Sequence, residues 1–497
     1  MTSPVAPIEL AGTEARWSGA VEVSDEALAA LAAAAPTTTE TVDRDALAEA
    51  SRDWWPLALH WALAGQVPNR AAAVVRPTSV DEVAAVLAVC AEHQLPVTAA
   101  GGRSGVCGAS VPVFGGVVLD TTGLAGLVAV DALAGVVEVA AGTFGPELEA
   151  ELQENHGLSI GHFPQSFELA TVGGWVACRG AGQYSTRYGK IEDLVVGLEV
   201  VLADGRVIRT GGAPAAAVGP DLTQLFVGSE GTLGIVTRVW LRAHPVAPHE
   251  ARAAYTFVSF ADGVAACRDV LRRGATPAVL RLYDAEESAR GRGGDGQRCT
   301  LLVLDEGDPA LVAATMAIVD EVSTAGEPAP DQLVADWLDH RNDTSALQVL
   351  THKGFVVDTM EIAAPWSRLD DLFAEVRAAL LSVPHARAAT CHLSHSYADG
   401  ACLYFTFAAT PPAAEIETTY TALWDAGQRA VLEHGGNLSH HHGVGLNRGR
   451  FMAEALGPAF GVLTALKSAL DPRGILNPGK LGLPSAFGAP PWPPGEA

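Results

Sequence analysis

Three adjacent histidines, His440-His441-His442, make the most polar short run in this 497-residue chain. Imidazoles exchange protons near neutral pH, so the run could relay them, although a surface histidine is the plain reading of any one. In an extended segment neighbouring side chains point to opposite sides, which puts His440 and His442 on one face and His441 on the other. Glycine-rich loops offer a second kind of chemistry. In Thr98-Ala99-Ala100-Gly101-Gly102-Arg103-Ser104-Gly105 successive N–H groups can form a nest for phosphate oxygens, with Arg103 adding charge and Ser104 a hydroxyl. This loop is neither G-x-x-x-x-G-K-[ST] nor G-x-G-x-x-G. Three further stretches, 161–175, 178–189 and 228–234, are glycine-bearing and too irregular for helix or strand. Long irregular stretches inside compact domains are usually functional, and four in one domain point to a ligand.

Alternating strands and helices must position these loops. Ala73-Val74-Val75 reads as a strand, Arg76-Pro77 ends it, and Ser79 with Glu82 has capping-box spacing for a helix to about His93. Leu95-Pro96-Val97 starts the strand that runs into the first loop, giving a β-α-β unit with a glycine-rich exit. Strands follow at 116–120 and 135–140, and a helix from near Thr143 stops at Gly157. Segments 198–203 and 206–210 flank Asp204-Gly205, the pair suited to a type I′ hairpin, and a strand at 235–241 closes the unit. Longer helices at 262–273, 311–324, 366–381 and 414–434, separated by strands such as 279–283, 300–304 and 403–407, read as an α+β cap. The expected organisation is therefore a helical leader (1–69) whose Trp54, Trp55 and Trp61 pack on the first domain, a ligand-binding domain (70–246), a cap (247–435), a C-terminal segment with the histidine run (436–483) and a loose proline-rich tail (484–497). The glycine loop at 291–296 could act as a lid, though an ordinary surface loop is the plainer reading.

Composition excludes several classes of function. With 57 acidic against 32 basic residues the formal charge is -25, which repels a nucleic-acid backbone. An anionic ligand must then be held locally, by backbone N–H groups and a few placed arginines. Seven scattered cysteines with no C-x-x-C pair indicate neither a disulfide framework nor a zinc ribbon, and fit a reducing, cytoplasmic home. The start lacks the charged and apolar regions of a signal peptide, and no apolar run approaches the roughly 20 residues of a spanning helix. A peripheral membrane contact, should the substrate be a lipid, and a homodimer are left open.

The four loops, in this order, resemble the FAD-binding domain of the vanillyl-alcohol oxidase type of flavoprotein. P-Q-S-F-E-L-A-T-V-G-G-W, Y-G-K-I-E-D-L-V and S-H-H-H-G-V-G are similar to one branch, the alkyldihydroxyacetonephosphate synthases, over roughly Arg70 to Leu481. The resemblance implies an α+β protein with a two-subdomain FAD-binding domain, an α+β cap that holds a small-molecule substrate, and a C-terminal segment, 471–480, returning to the FAD domain. It implies FAD contacts from Thr98, Ala99, Ala100, Gly101, Gly102, Arg103 and Ser104; from Gln165, Ser166, Phe167, Glu168, Leu169, Ala170 and Thr171; from Cys178, Arg179, Gly180 and Ala181; and from Gly228, Ser229, Glu230, Gly231, Thr232, Leu233 and Gly234. Arg103 stands where a flavin-linking histidine sits in other members, so a non-covalent cofactor is expected.

Catalytic positions implied by the same resemblance are Tyr404 as proton-transferring phenol, the run His440, His441 and His442, Arg281 on a cap strand facing the flavin loops, and His162 beside them. Tyr404 could shuttle a proton if a neighbouring cation or imidazole lowered its pKa. One departure stands out. Leu347-Gln348 falls where the branch carries an Arg-Asp pair whose arginine binds substrate, so a phosphate-bearing substrate loses a partner unless Arg341 or Lys353 takes its place. Two reactions are thereby in view: an ether-forming synthase working through flavin N5, and an oxidase or dehydrogenase of an alcohol or 2-hydroxy acid. The D-2-hydroxyacid dehydrogenase branch holds a metal through histidines and an acidic residue. Here Leu403 or Tyr404 replaces one ligand and the acid is missing, so no metal is expected, although His392, His395 and His441 could converge.

Overall fold

A computed structural model describes residues 6–36, 39–291 and 294–493. Parallel pairing of Ala73–Val75 and Val97–Ala100 with Val117–Asp120 between them builds a small sheet, edged by Thr39–Glu40. The crossover helix Val80–Glu92 starts where Ser79 accepts a hydrogen bond from Glu82 N, and it buries Val83, Val86, Leu87 and Cys90 on the sheet. Its partner is an antiparallel sheet ordered Val207–Gly211, Val195–Val201, Ile235–Arg242, Val136–Ala140 and Leu127–Asp131. The helix Gly145–His156 ends on left-handed Gly157, φ 64°, as the sequence predicts. The predicted type I′ turn does not form. Of Asp204-Gly205 only Gly205 has positive φ (82°), and the loop closes instead through Gly205 N donating to Leu202 O and Leu202 N donating to Arg206 O. A second correction concerns the irregular second loop, which ends in a helix, Val172–Cys178, because Thr171 Oγ1 accepts from Gly174 N and caps it.

Seven antiparallel strands form the cap sheet, in the order Glu327–Ala329, Glu250–Phe257, Cys299–Glu306, Val279–Tyr283, Ala386–Ser396, Gly400–Ala409, Val356–Pro365. Strand alternation sorts its side chains. Leu280, Leu282, Met360, Ile362, Leu393, Leu403 and Phe405 join the core made with the helices Phe260–Arg272, Pro309–Val322, Leu369–Ser382 and Ile416–Glu433. Arg281, Thr359, Glu361, His392, Tyr404 and Thr406 are left on the opposite face, where the flavin-type loops lie. A register shift between Ser394 and Ser396, with His395 at φ 52°, breaks the alternation and re-aims His395 to that same face.

The leader packs on the first domain and on the cap together, and the tail departs from expectation. Trp55 and Trp61 share one core with Val113 and Phe114 of the first domain and with the cap, and Trp55 Nε1 donates to Tyr420 OH (2.8 Å). The tail is not loose up to Trp492, which is 3% exposed and packs edge-on against Trp55 (5.2 Å). Residues 292 and 293 of the glycine loop lie outside the described residues. All seven cysteines are free, and among the described residues no helix is long and apolar enough to cross a membrane.

Candidate active site

The four loops converge on a cavity of ≈ 480 Å³ between the two sheets of the first domain and the open face of the cap. Glycine at 102 is enforced by the approach of two loops, since a Cβ there would lie 1.9 Å from Leu169 O. Ala99 to Ser104, Gln165, Ser166, Leu169 to Thr171, Cys178, Gly180, Ala181, Ser229, Glu230, Gly231 and Gly234 line it. Thr98, Phe167, Glu168, Arg179, Gly228, Thr232 and Leu233 do not line it: Glu168 accepts from Asn342 of the cap (3.0 Å) and Arg179 pairs with Glu192 (3.2 Å). Small residues and backbone make up most of the first-domain wall, as a long dinucleotide requires. The C-terminal segment closes this wall from outside. Glu230, held at φ 49°, accepts from Val444 N (2.6 Å) and Gly445 N (2.8 Å), and Asn477 donates to both Glu230 O (2.6 Å) and Ala109 O (3.0 Å).

The histidine run is not extended. It wraps around the buried carboxylate of Glu361, whose Oε1 accepts from His441 N (3.1 Å), His442 N (2.8 Å) and Ser439 Oγ (2.5 Å). Arg448, fully buried, makes a bidentate pair with the same carboxylate, and His442 Nδ1 lies 3.0 Å from Glu361 Oε2. The predicted facing is therefore corrected: His441 and His442 share the cavity wall, while His440 is 6% exposed behind them. Burial raises the Glu361 carboxyl, but Arg448 and then His442 outweigh it and hold the group well below its usual range, so it is ionised.

Tyr404 lines the cavity on the strand between His392 and Glu361, its ring stacked on His392 (4.6 Å, 14°) and edge-on to His442 (5.5 Å, 88°). The lowered pKa that would make it a base is not found, because burial pushes the phenol up and keeps it protonated. Arg281 does not line the cavity: it donates to Tyr283 OH (2.8 Å) and its NH2 meets His392 Nε2 at 2.6 Å. Glu287 takes the other face of His392, Oε1 to Nδ1 2.9 Å. His162 is fully buried beside the cavity, 4.8 Å from the Trp175 ring, and does not line it. Arg341 stacks over Phe163, Tyr184 and Trp337, and neither it nor Lys353 replaces the missing cation on the wall.

Nitrogens of His395, His440 and His441 lie within 4.8 Å of one another, a set that could ligate a metal; His392, turned to Arg281 and Glu287, is not the third member. They are already engaged. Ser185 Oγ meets His395 Nδ1 at 2.7 Å, Tyr397 OH meets His440 Nε2 at 2.9 Å, and His440 Nδ1 meets His441 Nδ1 at 2.9 Å. Glu361, Arg448, Tyr397 and Ser185 carry no sequence signal of their own, since only the fold brings them to the histidines. Lys190 was visible only inside a motif; its Nζ donates to His440 O (2.7 Å). Trp54 and Pro56 of the leader also reach the wall.

A parallel β-α-β unit and an antiparallel sheet that close glycine loops over a long cavity beneath a separate cap define a flavoprotein with a substrate domain. Residues 71–211 match the FAD binding domain and 246–481 the FAD linked oxidases, C-terminal domain, so the chain belongs to the FAD-linked oxidases and binds FAD. It is 32% identical over 436 residues to an uncharacterized FAD-linked oxidoreductase, YgcU, of Escherichia coli (strain K12), covering 82% of this chain and 88% of that one. It is 29% identical to the alkyldihydroxyacetonephosphate synthase of Dictyostelium discoideum (84% and 74% covered) and 29% identical to the glycolate oxidase subunit GlcD of Bacillus subtilis (82% and 88%). Among solved structures, an alkyldihydroxyacetonephosphate synthase superposes with TM-score 0.76 at 25% identity over 96% of this chain and 90% of that one.

Proposed function

We propose that the protein is an FAD-dependent oxidoreductase acting on an uncharged alcohol with an apolar body. The observation that carries this is the wall beyond the flavin loops. Trp54, Pro56, Leu347, Leu350 and Val357 give it its apolar part, beside Asp343, Thr344, Thr359 and Thr406, and among the described residues Arg103, which sits in the first loop 4.0 Å from Asp120, is the one basic side chain other than histidine lining the cavity. A phosphate or carboxylate held there would forgo charge-assisted hydrogen bonds of about 1.5–3 kcal/mol each. An alcohol with an apolar body gains from the same wall about 25 cal/mol per Å² covered.

Bound FAD supplies the acceptor for hydride, and the chain's own residues handle the proton. His442, on the cavity wall with its Nδ1 3.0 Å from the ionised Glu361 carboxylate, is the base for the substrate hydroxyl. Tyr404, protonated and edge-on to His442, donates a hydrogen bond that orients the substrate oxygen. Trp54 and the cap helix Ser345–His352 keep water from this end. The likeness to alkyldihydroxyacetonephosphate synthases supports a second reading, ether formation through flavin N5, with the same groups moving protons. Anaerobic mixing with apolar primary and secondary alcohols and with 2-hydroxy acids separates the two: lasting bleaching of the flavin by alcohols is expected. An ether product formed without net reduction would sink the oxidoreductase reading.

A further inference from the structure

Tyr397 stands at the outer turn of the hairpin Ala386–Ser396/Gly400–Ala409, half-buried, away from the cavity, and no role in catalysis follows from its sequence. Its hydroxyl lies 2.9 Å from His440 Nε2 and 3.5 Å from Ser185 Oγ. A phenol is a better donor than an alcohol and an imidazole nitrogen a better acceptor, so the phenolic proton goes to the nearer partner, His440 Nε2. Neutral His440 must then carry its own hydrogen on Nδ1 and donate it to His441 Nδ1, 2.9 Å away. With Nδ1 occupied as an acceptor, neutral His441 carries its hydrogen on Nε2. Behind Tyr397, Ser185 Oγ in turn lies 2.7 Å from His395 Nδ1.

We propose that Tyr397 fixes the tautomer of His441 through His440, so that His441 presents its Nε2–H to the cavity as a donor to the substrate oxygen. His395, His440 and His441 are all held well below the usual imidazole range, chiefly by burial, and so are neutral, with one donor and one acceptor each. His441 Nε2 makes no hydrogen bond within the described residues, and the residue lines the cavity. The site thus presents a histidine N–H to the substrate oxygen beside His442, which shares the same cavity wall. Tyr397 and Ser185 are positioning residues, and Ser185 carries the link from the first domain to the cap.

This deepens the alcohol reading and rests on it for its ligand, but its test does not need turnover. In ¹⁵N-histidine-labelled holoprotein, with the His441 signals assigned by their loss in His441→Asn, His441 should show a protonated Nε2 and an unprotonated Nδ1. In Tyr397→Phe, which keeps the ring, the opposite tautomer should become populated, and flavin reduction by an alcohol should slow by roughly 10- to 100-fold with FAD still bound. A His441 protonated on Nδ1 in the wild type, or a tautomer unchanged in Tyr397→Phe, overturns the inference. Should no alcohol reduce the flavin, the functional reading fails while the nitrogen signals still decide the role of Tyr397.

Discussion

His442 Nδ1 lies 3.0 Å from Glu361 Oε2, and the same carboxylate takes a bidentate pair from Arg448 and two backbone N–H groups from the histidine run itself. One buried anion thereby folds the run and fixes where the proposed base stands. Replacing it with an amide gives His442 a partner that can also donate, and leaves Arg448 buried without a counter-charge. Glu361→Gln should lose about 3–5 kcal/mol of stability and most of its activity. His442→Ala, which spares the Arg448 pair, should lose activity while keeping FAD and a near-normal melting temperature. Thermal melts and anaerobic flavin reduction measure both, and a fully active His442→Ala would remove it as the base.

Tyr404 differs most between a core and a catalytic role. Tyr404→Phe keeps the ring stacked on His392, so the protein should remain yellow with little change in melting temperature. Turnover should fall by roughly 10² to 10⁴. A purely structural hydroxyl would instead cost about 0.5–1.5 kcal/mol of stability and leave the rate nearly intact.

The pH dependence of stability has a separable contribution at His162. Burial, with a smaller effect of Lys190, lowers its pKa from 6.5 to about 3. The unfolded chain therefore binds this proton first, so the stability that comes from keeping His162 neutral is complete above about pH 6.5 and is lost as pH falls toward the folded value. His162→Leu removes this loss. Its advantage over the wild type should grow by about 2 kcal/mol between pH 6.5 and pH 5, measured by paired denaturant melts. Parallel curves would show that His162 does not titrate with unfolding.

Cofactor attachment should be non-covalent. Cys178, the cysteine on the cavity wall, is a thiol pushed up to about 12 by burial and so a poor nucleophile. Under denaturing gel filtration the yellow colour should leave the polypeptide. Elemental analysis of the same preparation should find zinc far below one equivalent; stoichiometric zinc would mean that His395, His440 and His441 exchange their hydrogen bonds for a metal.

Leu347 offers a gain-of-function test of the uncharged wall. It sits on the helix Ser345–His352, backed by Leu59 and Ile8 of the leader. Leu347→Arg should let glycerol phosphate perturb the flavin spectrum at roughly 10- to 100-fold lower concentration than in the wild type. Equal titrations would show that position 347 does not set the charge of the ligand.

The legible parts of this protein are those encoded locally. Ser79, Gly157 and the glycines of the first loop mark where a helix starts, where one ends and where loops must touch, and the structure places each as read. The family motifs led to FAD and to Tyr404 and His442 on one wall. What stayed hidden depends on distant pairing. Glu361 sits in a largely apolar strand segment that assigns it no role, and only the return of residues 438–448 makes its carboxylate a centre. The facing of the histidines was misread because alternation holds for strands, and this run curls around an anion instead. His395 reaches the site only through a bulge, which no local pattern announces.

Trp492 seals the aromatic cluster of Trp55, Trp61 and Tyr420 at the far end of the chain. A nascent polypeptide leaving the ribosome therefore exposes an unfinished apolar surface on the cap until Trp492 emerges, even though Trp55 and Trp61, which share the cluster, were made far earlier. A frameshift or stop codon just ahead of Trp492 would spare every proposed catalytic group and still yield a chain prone to capture by chaperones or to aggregation.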